Sequence, residues 1–287
     1  MKCFNQCFTV DMNHSTLGLR YAARSDVGRR RPENEDAAYA SPRLLVVADG
    51  MGGHNYGQVA SATAIRVLSG AHLDGDPVVA LEGAIQQAAQ TLKGMADANP
   101  ALNGMGTTLT AMLFDGSGFA LAHVGDSRGY MLRDGVLYQI THDHTLVQSL
   151  VDDGRMTPEQ AAEHPRRSML MRALESTGNV SPDVSRRAAF AGDRYLLCSD
   201  GLAGVVSPET LHELLTSVAD LEQLVTTLVD LANRGGGPDN ITCVVADVVA
   251  GWSGDGHPIM VGSASADQDT RLDQGEGAGG DVPLQTS

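Results

Sequence analysis

The chain has 287 residues, of which 42% are hydrophobic, and its 35 acidic residues outnumber 20 Lys and Arg to give a formal net charge of −15. This length and composition allow one large domain with a sizeable core. The acidic balance argues against a protein that binds nucleic acid or an anionic membrane, because both partners require a basic surface.

Cysteine usage and hydropathy narrow the class of protein further. Cys198 and Cys243 stand inside apolar runs, where a small buried thiol is expected, and Cys3 and Cys7 stand near the N-terminus. No cysteine pair has the spacing of zinc ligands, and the pattern favours a reducing compartment over a disulfide framework. No stretch of the sequence reaches the ~18 apolar residues of a membrane span. These features predict a cytoplasmic protein without a membrane span.

The composition divides the chain into three segments. Residues 1–17 predict a flexible leader, and residues 251–287 are rich in Gly, Ser, Asp and Gln. The second of these segments predicts a disordered tail, because it has too few apolar side chains to offset the entropy of ordering. Residues 18–250 alternate strand and helix patterns without a linker and predict one domain.

The periodicity of apolar residues predicts the elements of this domain. Strands are predicted, in chain order, at residues 19–23, 37–40, 44–48, 107–114, 119–124, 130–132, 136–140, 184–190, 195–198 and 241–249. Helices are predicted at residues 58–68, 78–96, 207–216 and 221–233, and further helices are expected to start near Thr145 and at Thr157. Ser207 and Thr157, each followed by a proline, are predicted N-caps, and Gln160 predicts a capping box with Thr157. Asp-Gly turns between several strands indicate antiparallel hairpins. Antiparallel strands with two pairs of helices predict a layered α+β sandwich.

Acidic residues stand at the ends of three apolar runs. Residues 44–48 lead into Asp49-Gly50, residues 195–199 lead into Asp200-Gly201, and Asp239 shortly precedes the last run. A single Asp-Gly pair is more often a turn than a ligand, but the repeated context favours a functional reading. Carboxylate oxygens beside glycine, which lets a carbonyl approach an ion closely, suit Mg²⁺ or Mn²⁺. The sequence therefore predicts a metal-dependent enzyme.

A basic cluster precedes the second predicted strand. Arg29, Arg30 and Arg31 are consecutive, and a solvated charged loop is the ordinary interpretation of such a run. One arginine held near a pair of cations would bind a phosphoryl group in bidentate fashion, which lysine does less well. Position alone does not choose among the three arginines.

Six motifs occur in a fixed order along the chain. They are Arg31-x-x-Asn34-Glu35-Asp36, Asp49-Gly50-Met51-Gly52-Gly53-His54, Gly104-Met105-Gly106-Thr107-Thr108, His123-Val124-Gly125-Asp126-Ser127-Arg128, Ser199-Asp200-Gly201-Leu202 and Gly237-Pro238-Asp239-Asn240. Together they resemble the protein phosphatase 2C family of metal-dependent Ser/Thr protein phosphatases. They are most similar to the actinobacterial members that act with receptor-type protein kinases. The resemblance covers about residues 19–249, and six motifs in order are far more specific than any one of them.

The resemblance implies a fold and a metal centre. The fold would be a four-layer αββα sandwich over residues 18–250, with two stacked antiparallel sheets flanked by helix pairs. Asp49 would bridge two central Mn²⁺ or Mg²⁺ ions, Gly50 would offer its carbonyl oxygen to one ion, and Asp200 and Asp239 would complete the other side. Asp126 matches the residue that helps to hold a third ion in bacterial relatives.

The resemblance also implies roles around the ions. Glu35 and Asp36 would hold metal-bound waters, and Arg31 would bind the substrate phosphate, so that the catalytic set is Arg31, Asp49, Asp200 and Asp239. Residues 145–174 match a mobile flap beside the site.

Three departures from the family pattern bear on this centre. Gln58 stands where members often have Glu, and Gly204 stands where an acidic residue commonly follows the second Asp-Gly motif. Met51 stands where eukaryotic members have a His, and His54 lies three residues later. The proton donor to the leaving group is therefore left open. Because Gly204 offers no side-chain oxygen, a third ion is expected to be weakly held.

The implied activity is hydrolysis of phosphoserine and phosphothreonine in proteins. Two cations lower the pKa of a water so that hydroxide exists near neutral pH, and they offset charge on the phosphoryl oxygens. This metal-activated hydroxide would attack phosphorus directly. Bacterial Ser/Thr kinases and their substrates are the expected partners, and no nucleic acid is expected. The alternatives are a pseudophosphatase or regulatory domain that binds phosphoproteins without turnover, and a hydrolase of small phosphoesters.

Overall fold

The computed structural model describes residues 16–52, 56–251 and 256–265. The predicted leader, apart from its last two residues, lies outside this part of the chain, as do Cys3, Cys7, His54 and most of the predicted tail. The strands are β1 (Leu17–Asp26), β2 (Asp36–Ala40), β3 (Leu44–Met51), β4 (Gly106–Thr107), β5 (Leu109–Phe114), β6 (Gly118–Val124), β7 (Arg128–Arg133), β8 (Val136–Gln139), β9 (Leu174–Glu175), β10 (Asp183–Ala188), β11 (Arg194–Cys198), β12 (Ile241–Ala250) and β13 (Ile259–Gly262). The helices are α1 (Tyr56–Gly70), α2 (Pro77–Ala98), α3 (Leu146–Asp152), α4 (Pro158–Ala162), α5 (Asp200–Ala203), α6 (Pro208–Ser217) and α7 (Leu221–Arg234).

The strands form two antiparallel sheets, which we call the small sheet and the large sheet. The small sheet has the order β1-β12-β11-β7-β8. The large sheet has the order β10-β6-β5-β3-β2-β13, and β4 and β9 extend it from β3. Helices α1 and α2 pack on the outer face of the large sheet, and α6 and α7 pack on the outer face of the small sheet. The predicted four-layer αββα sandwich is confirmed.

The alternation of side chains along β3 shows why its continuous apolar run forms a strand between two layers. Leu44, Val46 and Ala48 face helices α1 and α2. Leu45 and Val47 face the other way, into the apolar layer between the two sheets. Since successive side chains in a strand point to opposite faces, a strand covered on both sides needs apolar residues throughout. The carboxylates that follow this run therefore emerge at the rim of the sandwich.

The local signals for helix starts are confirmed. The side chain of Thr157 accepts a hydrogen bond from the Gln160 N–H, and the Gln160 side chain accepts from the Thr157 N–H, which is the reciprocal cap that the sequence indicates at α4. Ser207 caps α6 in the same position before a proline. Thr145 caps α3. None of the helices in the described ranges has both the length and the apolarity that a membrane crossing requires.

One strand prediction and the prediction of the disordered tail need correction. The run at 107–114 is divided at Thr108, whose N–H bonds to the Asp49 carbonyl and whose hydroxyl accepts from the Asp49 N–H, so β4 and β5 form separate ladders with β3. The prediction of a disordered tail from Gly251 is wrong for part of it, because β13 pairs antiparallel with β2. The short run Ile259-Met260-Val261 becomes a strand because β2 offers it an unpaired edge, which composition does not reveal.

Candidate functional site

The predicted site residues come from both sheets and lie at the ends of their strands. Asp49 lies near the end of β3, and Asp126 follows β6, both in the large sheet. Asp200 begins α5 directly after β11, and Asp239 lies just before β12, both in the small sheet. The carboxyl groups of Asp49 and Asp200 are close enough to shift each other's pKa. Residues more than 150 positions apart in the chain are thus brought together where the two sheets meet.

The carboxyl groups at this point destabilise one another's charged forms. Burial, together with the nearby Asp200 and Asp239, raises the pKa of Asp36 to about 7. Burial, with Asp200 and Asp143, raises the pKa of Asp126 to about 7. The pKa values of Asp49 and Asp200 are raised for the same reasons, first burial and then neighbouring carboxylates. Such a cluster favours bound cations, because a cation stabilises the charged form of every member.

Asp36 is the deepest of these groups. Its side chain is fully buried and lies directly across from Asp49 in the β2–β3 ladder. Its Oδ2 accepts a hydrogen bond of 2.7 Å from the Ser199 hydroxyl, which itself accepts from the Thr242 N–H. Its Oδ1 has no hydrogen-bond partner. A buried carboxylate oxygen without a partner is costly and suits a site in which an ordered water or an ion completes the shell.

Arg31 and Asp239 are partners of each other. The Arg31 Nη2 lies 2.7 Å from the Asp239 Oδ2, and the other Asp239 oxygen accepts from the Asn240 N–H at 2.8 Å. Among the described residues, no three His, Cys, Asp or Glu side chains are already gathered as a metal cluster. Asp239 is held by Arg31 instead. The pair is half exposed, with 47% of the Arg31 side chain accessible, so exchanging it for other partners costs little, about 0–1 kcal/mol.

The loop that carries Arg31 is fixed by Asn240. The Asn240 amide donates to the carbonyls of Val27 and Glu33, both at 2.9 Å, and its oxygen accepts from the Glu35 N–H at 2.8 Å. One amide side chain therefore holds both ends of the segment. The sequence motif contains Asn240, but its role depends on a contact across 205 positions and was not predicted.

Glu35 and Gly50 meet behind the carboxylates. The Gly50 N–H donates to the Glu35 carbonyl at 3.2 Å, and the Gln58 N–H donates to the Glu35 carboxylate. Burial raises the pKa of Glu35, whereas Arg31 lowers it. A Cβ at position 50 would lie 2.2 Å from the carbonyl oxygen of Gly57, so only glycine fits this close approach. Gln58 thus supports Glu35 through its backbone.

A cavity of about 380 Å³ opens beside the cluster. Asp126, Asp200 and Gly204 line one side, and the residues of α3 and α4 line the other. The segment predicted to be a flap therefore faces the site, with Thr145 pairing across to Leu170. Gly204 lines this cavity without offering a side-chain oxygen, and the weak third ion stays a prediction.

Two contacts beside Asp126 were missed by the sequence analysis. Arg128 forms a forked ion pair with the buried Asp143, with Nη2 at 2.7 Å from Oδ2. The His144 Nδ1 accepts from the Gly125 N–H at 3.1 Å, and its Nε2 lies 3.0 Å from Asp183 Oδ2. These contacts fix the turn that carries Asp126.

We expect the substitution Asp126→Asn to stabilise the metal-free chain, and to do so more at about pH 8 than at about pH 5. The pKa of Asp126, about 7, lies above the ordinary aspartate value of 3.8, so the folded chain binds more protons than the unfolded chain between these values. The stability contributed by this group therefore falls as the pH rises through that window. Thermal unfolding of both proteins with chelator present measures the difference.

The two proteins have to be compared because His123 changes the pH dependence of stability in the opposite direction. Burial lowers the pKa of His123 to about 4, so its contribution to stability rises with pH. His123 is common to both proteins and cancels in the difference. The matched control is Asp97→Asn, whose carboxylate is 65% exposed and should give no pH-dependent gain. A gain for Asp126→Asn that is equal at both pH values contradicts the expectation.

The family assignment follows from this fold and from a match to a family model. The model described as Protein phosphatase 2C matches residues 32–244, which is most of the chain. The chain belongs to the protein phosphatase 2C family.

Individual relatives agree with this assignment. The chain is 53% identical over 264 residues to the serine/threonine protein phosphatase PstP of Mycobacterium tuberculosis, a match that covers 90% of this chain and 50% of the relative. It is 39% identical over 236 residues to the serine/threonine phosphatase stp of Listeria monocytogenes, covering 78% of this chain and 94% of that protein. This chain thus spans about half the length of the mycobacterial relative.

A solved structure gives the fold directly. The catalytic domain of PstP in complex with two manganese ions superimposes with a TM-score of 0.77 at 51% identity, covering 82% of this chain and all of that one. The agreement extends the resemblance from six motifs to the whole arrangement of sheets and helices.

Proposed function

We propose that this chain is the catalytic domain of a metal-dependent protein phosphatase that hydrolyses phosphoserine and phosphothreonine in proteins. The observation that carries the proposal is the convergence of Asp49, Asp126, Asp200 and Asp239 at the junction of the two sheets, beside Arg31. Family membership, the names of the relatives and the manganese-bound structure of PstP support it.

The donor set fits divalent cations that prefer oxygen. The proposed ligands are the carboxylates of Asp49, Asp200 and Asp239 and the carbonyl of Gly50, with Asp126 reserved for a third, weaker site. Hard oxygen donors of this kind suit Mn²⁺ and Mg²⁺. The unpartnered Oδ1 of the buried Asp36 supports a hydrated centre on the same side. When bound, two cations supply a hydroxide nucleophile near neutral pH and offset phosphoryl charge.

Arg31 would serve the substrate once Asp239 has another partner. In the structure the two side chains neutralise each other. Ligation by Asp239 would release the guanidinium, whose planar fork of donors matches phosphate oxygens. The loop held by Asn240 would keep Arg31 within reach of the reacting phosphoryl group. Metal binding by Asp239 and phosphate binding by Arg31 would then be coupled through the ion pair between them.

We expect Arg31→Ala to lower kcat/KM for a phosphopeptide roughly tenfold to a hundredfold, since a hydrogen bond to a charged group contributes about 1.5–3 kcal/mol. KM should rise, and kcat should fall as well, because the phosphate contact persists into the transition state. Steady-state kinetics at saturating Mn²⁺ measure both. Arg29→Ala and Arg30→Ala serve as controls. A larger loss of kcat/KM in either control would show that Arg31 is not the residue that binds the phosphate.

The substrates we propose are phosphorylated proteins of the cytoplasm, including bacterial Ser/Thr kinases. The relatives are named as protein phosphatases, which supports protein substrates over small phosphoesters. The rival is a pseudophosphatase that binds phosphoproteins without turnover. Retention of Arg31 with all the predicted ligands favours the enzyme, because a binding module needs no complete metal set.

Phosphate release from phosphothreonine and phosphoserine peptides tests the proposal. We expect turnover with Mn²⁺ or Mg²⁺, its loss with chelator, and its return when metal is added back. A chain that binds the peptides but releases no phosphate under any metal condition would be a pseudophosphatase. Faster turnover of a small aryl phosphate than of every phosphopeptide would indicate the small-ester hydrolase.

A further inference from the structure

The segment that follows the family domain returns to the back of the candidate centre. The family model ends at residue 244, whereas β13 at 259–262 pairs with β2 beyond it. In this ladder Gly262 lies opposite Ala37, the residue after Asp36. We call residues 256–265 the return segment. Its last turn contacts the backbone of Asp36 directly and reaches the backbone of Glu35 through Ser61.

Ser263 makes the direct contact with Asp36. Its N–H donates to the Asp36 carbonyl at 2.7 Å, and only 3% of Ser263 is exposed. Gly262 makes this approach possible, because its φ is +74° and a Cβ there would lie 2.2 Å from the same carbonyl oxygen. The neighbouring Ala264 is buried in the core beneath α1 and α2. The turn is therefore built into the sheet and does not merely lie on its surface.

A second contact runs through α1. The Ser61 hydroxyl donates to the Glu35 carbonyl, and the Ser263 hydroxyl lies 2.9 Å from the Ser61 oxygen. Because Ser61 uses its proton on a carbonyl, Ser263 is the donor of the hydroxyl pair. The Glu35 carbonyl also receives the Gly50 N–H. The chain of contacts thus runs from Ser263 through Ser61 and Glu35 to Gly50.

Both routes end at the proposed ligands Asp49 and Gly50. Asp36 faces Asp49 across the ladder, and Glu35 holds the Gly50 N–H. Polar groups that orient metal ligands from behind commonly tune metal affinity. We propose that the return segment is a positioning element of the metal centre, in which Ser263 and Ser61 fix the Glu35–Asp36 backbone and thereby raise the affinity of the site for Mn²⁺.

This inference rests on the proposed metal site but goes beyond the proposed activity. It assigns an indirect role in metal binding to Ser61 and to Ser263, the second of which lies beyond the residues that the family model matches. The role is indirect, since neither hydroxyl is proposed to touch an ion or the substrate. The prediction is that metal affinity changes while the turnover number at saturating metal does not.

Calorimetric titration of the metal-free chain with Mn²⁺ tests the proposal. Ser263→Ala and Ser61→Ala are each expected to raise the Kd for Mn²⁺ roughly threefold to tenfold, less than the loss of a group in contact with a ligand. The Mn²⁺ concentration that half-saturates turnover should rise equally, and kcat at saturating Mn²⁺ should stay within about twofold. The Kd of the double variant for Mn²⁺ should not exceed the higher of the two single-variant values, because both hydroxyls act through one contact.

Ser265→Ala is the matched control. It removes the same atom from the same turn, but within the described part of the chain the Ser265 hydroxyl donates to the Gly262 carbonyl alone. Its Kd for Mn²⁺ should stay within about twofold of the unsubstituted chain. A purely structural role would lower the melting temperature of the Ser263 variant without changing its Mn²⁺ affinity, and that result overturns the proposal. An equal loss of affinity in the control overturns it too.

The two proposals fail in different ways. If the unsubstituted chain binds Mn²⁺ but releases no phosphate, the proposed function fails and the calorimetry still decides the role of the return segment. If turnover depends on Mn²⁺ but Ser263→Ala and Ser61→Ala bind it as tightly as the unsubstituted chain, the positioning role fails and the function stands. A chain that does not bind Mn²⁺ overturns both.

Discussion

Asp49→Asn is expected to lower turnover of a phosphopeptide by about a thousandfold or more, equivalent to about 4 kcal/mol, while the chain stays folded. Asp49 is the proposed bridge between two cations, and the amide keeps the size of the side chain but loses its charge. Burial raises the pKa of this carboxylate, and repulsion by Asp36, Asp200 and Asp126 raises it further. Removing its charge therefore relieves the metal-free structure, and the melting temperature without metal should not fall.

A loss of turnover without a loss of stability distinguishes a metal ligand from a residue that only supports the fold. Initial rates across a wide range of Mn²⁺ concentrations, with melting temperatures in chelator, measure both. Asp97→Asn is the control, since its carboxylate is an exposed partner of Lys93 on α2 and should leave both quantities unchanged. Normal turnover of Asp49→Asn at saturating Mn²⁺ would remove Asp49 from the centre.

A chain that ends at Gly251 is expected to unfold at a temperature roughly 6–12 °C below that of a chain that ends at Ser265. The shorter chain loses β13, with Ile259 and Val261 packed on the layer between the sheets and Met260 packed beneath the helices. Three half-buried apolar side chains contribute about 3 kcal/mol, and each kcal/mol shifts the melting temperature of a domain of this size by about 2–4 °C.

Thermal unfolding in chelator separates this effect from metal binding. The chain that ends at Ser265 is the matched control, and its melting temperature should equal that of the full 287 residues, because the composition of residues 266–287 predicts a disordered tail. Equal melting temperatures for the chains that end at Gly251 and Ser265 would show that β13 adds no stability. A lower value for the control than for the full chain would contradict the predicted disorder.

The sequence predicted those parts of the fold that depend on local patterns. Apolar runs, the Thr157 and Ser207 caps and the antiparallel turns each need only neighbouring residues, and the structure has them where they were expected. The placement of Asp49, Asp200 and Asp239 at strand ends was also predicted from the neighbouring apolar runs. Their convergence followed only from the family resemblance, because periodicity does not say which strand ends meet.

Contacts across long stretches of chain could not be predicted. Asn240 holds a loop more than 200 positions away, and Ser61 meets Ser263 across 202 positions. Single serines and asparagines carry no periodic signal, and their partners depend on the packing of whole sheets. The strand β13 was missed because three apolar residues among polar ones predict a strand only when an open edge is available.

The carboxylates of the candidate centre are divided between the two sheets. One sheet carries Asp36, Asp49 and Asp126, and the other carries Asp200 and Asp239. The distance between the two groups therefore depends on the apolar layer where Val47 and Leu197 pack. A substitution deep in that layer that slides one sheet over its neighbour would alter the geometry offered to the ions without touching any ligand. The packing of this interior layer therefore bears on the geometry of the metal centre as well as on stability, and core variants far from the ligands can change metal affinity.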